Sequence, residues 1–220
     1  MKITYYGHAF FVVEAEGGLA IAIDPFDESV GYAVPSVRAD VVLASHEHFD
    51  HANVAAVEGS PKALVGAAGL GRHDLGGAVI LGVPSKHYDD PAAAARGDNT
   101  VFVVELDGIR LCHCGDLGHT LGDEAVAQLG RVDILMVPVG GFYTLEVEQV
   151  DELVDRVAPR VVIPMHYRTA AVTSGAVLKI ASKDRYLRGK RHARELPSSI
   201  TLGPDSLPAR REIWVMGYVA

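Results

Sequence analysis

The residues of this 220-residue chain with the greatest capacity for chemistry stand together in His46-Glu47-His48-Phe49-Asp50-His51, directly after the apolar run Val41-Val42-Leu43-Ala44-Ser45. Three imidazoles and the Asp50 carboxylate are nitrogen and oxygen donors of the kind that suit Zn²⁺, Mn²⁺ or Fe²⁺. Gathering them beside a buried strand costs free energy unless a cation compensates, which sets the metal-site reading above that of a solvated polar loop. A short β-branched run is expected to be a strand buried on both faces, and the chain leaving the carboxyl end of such a strand is where α/β layouts collect functional groups. In extended chain His46 and His48 point the same way and can share one ion. Asp50 and His51, at the start of a helix expected over 51–58, can turn toward a second.

The pattern H-x-H-x-D-H resembles the signature of the metallo-β-lactamase-fold superfamily. That resemblance implies a third histidine on the first metal, a bridging carboxylate, and a last histidine on the second metal. His87, in Pro84-Ser85-Lys86-His87-Tyr88-Asp89, resembles the third ligand of the His46/His48 metal. Asp116, in Cys114-Gly115-Asp116-Leu117-Gly118, resembles the bridging carboxylate, and His166, after Val161-Val162-Ile163-Pro164-Met165, resembles the closing ligand of the Asp50/His51 metal. The resemblance also implies a single domain over 1–220 with an α+β fold, a four-layer αββα sandwich of two sheets between helices with the metals at one edge. The residue pattern alone supports only a generic α/β or α+β layout.

His113, in Leu111-Cys112-His113-Cys114, is the rival of His87. Alternation along one strand sends its ring away from both cysteines, so those three groups cannot converge on one ion. Cys112 and Cys114 are too close on one strand for an ordinary disulfide and read as a packed, reduced pair. His8 lies between two alternating segments, Lys2 to Tyr6 and Phe10 to Glu14, that read as a β-hairpin. Its Gly-His-Ala step resembles the branch that includes ascorbate-phosphate lactonase and small uncharacterised metal-dependent hydrolases, in which this turn approaches the metals. The resemblance makes His8 a proton donor, a substrate contact or an additional ligand, with a backbone-bonded turn histidine as the plain alternative. Asp24, in Ile21-Ala22-Ile23-Asp24-Pro25-Phe26, is then a carboxylate that holds a ligating imidazole.

The elements that must position these groups are mostly strands, expected at 1–6, 9–15, 19–24, 40–45, 62–66, 78–83, 100–106, 109–114, 133–138, 160–165 and 212–219. Helices are expected over 51–58, 121–130 and 146–158, with Asp123 and Glu124 placed early in one of them to complement the helix dipole. Leu106-Asp107-Gly108-Ile109 is a two-residue hairpin turn, because Asp-Gly accepts positive φ.

With 49% apolar residues the chain can bury a full core. No apolar run reaches the roughly 18 to 20 residues of a membrane span, and Met1-Lys2 leads straight into a patterned strand, so the expectation is a cytoplasmic protein without a membrane partner. A net charge of −8 argues against a nucleic-acid surface. The basic stretch 183–194 reads as a solvated helix face. The small-residue loop Pro91 to Asn99 borders the substrate region in the family. The partner expected is a small molecule, and homo-oligomer formation is left open.

Two divalent ions, Zn first with Mn, Ni or Fe as alternatives, would activate a water as hydroxide for attack on an ester, lactone or phosphoester. Asp50 would ligate one ion and accept a hydrogen bond from the nucleophile, and Asp50 and His8 are the catalytic candidates. An anionic substrate suits two cations, with Arg96 or Arg168 as anchors. No Gly-x-Ser-x-Gly motif competes. The alternatives are a di-iron oxidoreductase of the same fold, whose motif carries glutamate where this chain has His48, and a metal-binding protein without turnover.

Overall fold

Segments near the amino terminus are apolar on both faces, and each face meets a different core. Phe11, Val13, Ile21, Ile23, Val41 and Leu43 join one buried cluster, whereas their neighbours Phe10, Val12, Ala22 and Val42 join another. Period-two alternation explains this, since successive strand residues point to opposite sides of a sheet. The computed structural model describes residues 1–87, 97–172 and 176–219.

The first half contributes β1 (Lys2–Gly7), β2 (Phe10–Glu14), β3 (Ala20–Ile23), β4 (Val37–Arg38), β5 (Val41–Ala44), β6 (Val57–Glu58), β7 (Lys62–Val65), β8 (Gly71–Asp74) and β9 (Ala78–Lys86). There follow β10 (Asp98–Leu106), β11 (Ile109–His113), α1 (Asp123–Leu129), β12 (Ile134–Pro138), α2 (Val147–Val157), β13 (Val161–Met165), α3 (Lys183–Leu187), β14 (Ala193–Leu196), β15 (Ser199–Thr201) and β16 (Glu212–Met216). One sheet has the order β15-β1-β2-β3-β5-β7, the other β14-β16-β13-β12-β11-β10-β9-β8, and β4 and β6 form a short separate ladder. The β10–β11 hairpin turns at Asp107 and Gly108, both at positive φ, as the Asp-Gly pair requires. Helix α2 starts where Glu146 and Gln149 form a capping box, and ends at Ala158 in the left-handed region.

The fold is the expected α+β sandwich, and the largest apolar cluster joins the two sheets to residues of α1 and α2. The outer layer is unequal. The second sheet carries α1 and α2, while the first is covered by loops, a 3₁₀ turn and β6, bearing Phe26, Val30, Tyr32, Val57, Tyr143, Val172 and Ile180.

The helix expected over 51–58 does not form. One turn closes when the His51 and Ala52 amides donate to the His48 carbonyl, after which Asn53 is drawn onto Pro25 and Phe26 and the chain becomes a 3₁₀ turn, Val54–Ala56, followed by β6. Tertiary hydrogen bonds to the β3 exit take the backbone that a helix would have used. The basic stretch is also only partly helical, since α3 ends at Leu187 and β14 begins at Ala193. Four of its charges are paired: Lys183 with Glu195, Arg185 with Glu146, Lys190 with Asp151 and Arg194 with Glu212. No helix among the described residues is long and apolar enough to cross a membrane.

Candidate metal centre

Elements from both sheets end at this edge and deliver polar groups to it. The β1–β2 turn presents His8, the end of β3 presents Asp24, and the end of β5 presents Ser45 through His51. His87 follows β9, Asp116 follows β11 and His166 follows β13. His8, Asp24 and His166 hold left-handed backbone, with φ of 52°, 52° and 51°. This conformation is uncommon for residues other than glycine and gathers at functional sites.

Among the described residues the donor atoms fall into three groups compact enough to hold an ion: His46, His48 and His87; His8, Asp50, His51 and His166; and His46, His51 and Asp116. The two oxygens of Asp116 divide between them. Oδ2 lies 3.1 Å from His87 Nε2 and 3.9 Å from His46 Nε2, while Oδ1 lies 3.1 Å from His166 Nε2 and 3.2 Å from His51 Nε2. His46 Nε2, His51 Nε2 and Asp116 Oδ1 are buried and lack a hydrogen-bond partner. Buried polar atoms left this way are costly, and a cation among them removes the cost, so the residues present fit a metal centre.

A second set of contacts aims the ligands. Asp24, fully buried, accepts from the Ser45 amide through Oδ1 at 2.7 Å and from the Ser45 hydroxyl through Oδ2 at 2.7 Å. With its proton given to Asp24, the Ser45 hydroxyl can only accept from His46 Nδ1, 2.9 Å away, which leaves the His46 Nε2 lone pair toward the centre. His51 Nδ1 lies 2.7 Å from Asp24 Oδ2, so the same carboxylate fixes a second ring. Asn99 does the corresponding work for Asp116: its Oδ1 accepts from the Asp116 amide at 2.9 Å, and its Nδ2 donates to the Cys114 carbonyl at 3.0 Å and to Ser85 Oγ at 2.8 Å. Only glycine suits position 115, where φ is 54° and a Cβ would come within 2.4 Å of both Ser45 and Asn99.

Charge and burial divide the ligands. Burial pushes His46 down to about 3 and also lowers His48. His51 behaves in the opposite way: against the effect of burial, the carboxylates of Asp116, Asp50 and Asp24 raise it well above the usual histidine value. Burial raises Asp116, but His166 and His51 outweigh it and hold the carboxyl well below the ordinary range. Asp50 is lowered by His51 and by a hydrogen bond from His8, again against burial. His8 is fully buried, its Nε2 lies 3.2 Å from Asp50 Oδ2, and burial brings it down to about 4, so it is a neutral donor near pH 7.

The structure therefore brings all seven expected ligands and His8 to one edge. It does so without the extended chain invoked for His46 and His48, whose segment bends and whose rings still meet at 4.4 Å. His113 is not among the ligand groups. Its Nδ1 accepts from the Gly115 amide and its Nε2 meets the Ala9 carbonyl at 2.9 Å. Cys112 and Cys114 are buried and unbridged, and the neighbouring Cys112 together with burial raises the Cys114 thiol, opposite to what a nucleophile needs. Arg168 does not follow His166 in extended chain, because left-handed backbone at His166 intervenes; it is exposed and its guanidinium donates to the Leu178 carbonyl at 3.2 Å. Arg96 and most of the loop expected to border the substrate lie outside the described residues. Sequence reasoning missed Asn99 and the role of Ser45, since a lone Asn or Ser at a strand end carries no signal of what it will touch.

The model of the β-lactamase superfamily domain matches residues 2–166. A UPF0173 metal-dependent hydrolase of Carboxydothermus hydrogenoformans is 31% identical over 212 residues, covering 85% of this chain and 93% of its own length. Another, from Pelotomaculum thermopropionicum, is 34% identical over 197 residues, covering 77% and 85%. The crystal structure of a candidate Zn-dependent hydrolase of the metallo-β-lactamase superfamily from Thermotoga maritima superposes with a TM-score of 0.79 at 35% identity, covering 98% of this chain and 97% of that one. With its ligand groups at the sheet edge and its relatives named metal-dependent hydrolases, the chain belongs to the β-lactamase superfamily, in the metallo-β-lactamase fold.

Proposed function

We propose that the centre holds two divalent ions and that the protein hydrolyses an ester, lactone or phosphoester of a small substrate. His46, His48 and His87 would hold one ion and Asp50, His51 and His166 the other, with Asp116 between them. The observation that carries this reading is the division of the Asp116 oxygens, one toward His46 and His87, the other toward His51 and His166. When bound, a pair of such ions supplies a lowered water pKa and polarisation of the substrate oxygen. Zinc suits the imidazole-rich set best, with Mn, Ni or Fe as alternatives.

The chain's own groups then orient and move protons. Asp50, held ionised, would accept a hydrogen bond from the attacking water and so orient it, and His8 fixes that carboxylate through its Nε2–H. Because His8 is buried and neutral, it acts through Asp50 and serves as a positioning residue.

Metal analysis of protein purified without added salts tests the assignment. Two ions per chain are expected, falling to one in His48→Ala, together with turnover of simple lactones or phosphodiesters. A His48→Ala protein that retains two tightly bound ions overturns the ligand set, and iron with oxygen-dependent redox turnover overturns hydrolysis.

A further inference from the structure

The His46/His48 side of the centre opens into a cleft of about 330 Å³ that also touches Ala67 and Asp98. A second hollow of about 350 Å³ shares Ala67 and Asp98 with it and continues over Leu70 and Pro84 to Lys86. The two hollows meet at Ala67 and Asp98, and the second lies on the side away from the metal ligands.

Most polar groups that line the second hollow are already used. Ser85 Oγ donates to the Asn99 carbonyl and accepts from Asn99 Nδ2, and the Asn99 amide has the partners described above. Thr100 Oγ1 donates to the Gly66 carbonyl at 3.0 Å. His119 accepts from the Lys86 amide through Nε2 and meets the Thr120 carbonyl through Nδ1, so both ring nitrogens are spent. What remains for a ligand is chiefly the apolar surface of Ala67, Leu70 and Pro84, with the Lys86 stem beside it. Leu70 is 39% exposed there, a large aliphatic side chain left open beside the groove. The floor is also fixed. The 3₁₀ turn Gly66–Gly69 presses so closely on β9 that a Cβ at Gly82 would come within 2.0 Å of the Gly69 carbonyl oxygen.

We infer that this second hollow is a subsite for an apolar arm of the substrate, such as the acyl chain of an ester or lactone, lying over Ala67 and Leu70 while the scissile carbonyl sits at the His46/His48 side. The inference rests on the hydrolytic reading and narrows its substrate class to molecules with an aliphatic or aromatic extension on that side. Apart from the charged ends of Lys86 and Asp98, the described residues of the hollow offer a polar arm little to bond.

Straight-chain carboxylates read the subsite without turnover. Acetate, butanoate and hexanoate are titrated calorimetrically into the metal-loaded protein, and p-nitrophenyl esters of the same acids are assayed in parallel. Each added CH₂ should tighten binding about two- to fourfold, since a buried CH₂ contributes about 0.8 kcal/mol at most. In Ala67→Trp, which fills the groove, and in Leu70→Glu, which makes its floor polar, the hexanoate-to-acetate ratio should fall toward one; both side chains are at least partly exposed, so the fold should tolerate the changes. Hexanoate that binds no more tightly than acetate, or a ratio unchanged in both variants, overturns the subsite, and ester turnover in that case leaves hydrolysis standing. Chain-length-dependent binding with no turnover of any ester, lactone or phosphodiester overturns the hydrolytic reading and leaves an apolar ligand subsite.

Discussion

The two halves of the centre are built differently although they share Asp116. The half made by His46, His48 and His87 contains imidazoles only, and His48 is partly exposed to the groove. The half made by Asp50, His51 and His166 is closed over by His8 and surrounded by the carboxylates of Asp24, Asp50 and Asp116. The electrostatic consequence is visible in the histidines: burial drives His46 down, whereas three carboxylates hold His51 up. Negative charge around the Asp50 half favours a cation there more than in the imidazole-only half.

The largest effect should come from the residue both halves share. Asp116→Asn removes the negative charge at the centre, and both ions should be lost to a mild chelator, with hydrolysis abolished; elemental analysis after dialysis checks this, and a variant that holds two ions would show that Asp116 is not shared. A smaller and one-sided effect is expected of Asp24→Asn. It disturbs the hydrogen bond to His51 and the relay through Ser45 to His46, and such outer contacts are typically worth about 10- to 100-fold in metal affinity. Because Asp24 also supplies charge to His51, the closed half should weaken more than the open half, which two-step metal titration can resolve; equal weakening would remove the asymmetry drawn above.

The smallest effect separates metal from protein. His8 and His46 are lowered to about 4 and about 3 in the folded chain, below their unfolded value of about 6.5. Below pH 6.5 the unfolded chain therefore takes up protons that the folded chain does not, and stability falls as pH drops from about 6.5 toward 4. The metal-free protein should lose melting temperature across that window, and His8→Ala should lose less. The same variant should keep its metal and lower kcat about 10- to 100-fold through a loosened Asp50; loss of one ion instead would make His8 a ligand.

The motif from His46 to His51 was legible because four donors in six positions beside an apolar run are costly to bury unless a cation compensates them. The strands were legible for a similar local reason: the apolar parts of β9 and β10, 78–83 and 101–104, mark them, and Asp107-Gly108 marks the turn that follows β10. The helix expected at 51–58 failed because the Asn53 amide donates to the Pro25 carbonyl and its side-chain Nδ2 to the Phe26 carbonyl, groups distant in sequence. β14 and β15 went unread because their residues are exposed or half-buried, so they carry little apolar pattern, and they are set by pairing with β16 and β1. His87, Asp116 and His166 were legible only through the resemblance, since a single polar residue at a strand end has no local signature.

By itself the sequence determined the local donor cluster from His46 to His51, the place of most strands along the chain and the two-sided burial of β5, because residue type and period-two spacing act over a few positions. Tertiary structure decided which oxygen of Asp116 faces which histidines, that Asp24 serves both His46 and His51, the former through Ser45, and that Asn99 aims Asp116. It also decided that His8, 42 residues before Asp50 in the chain, meets it at 3.2 Å. Those relations join elements separated by tens of residues, and their geometry is fixed only when two sheets pack and their carboxyl ends converge.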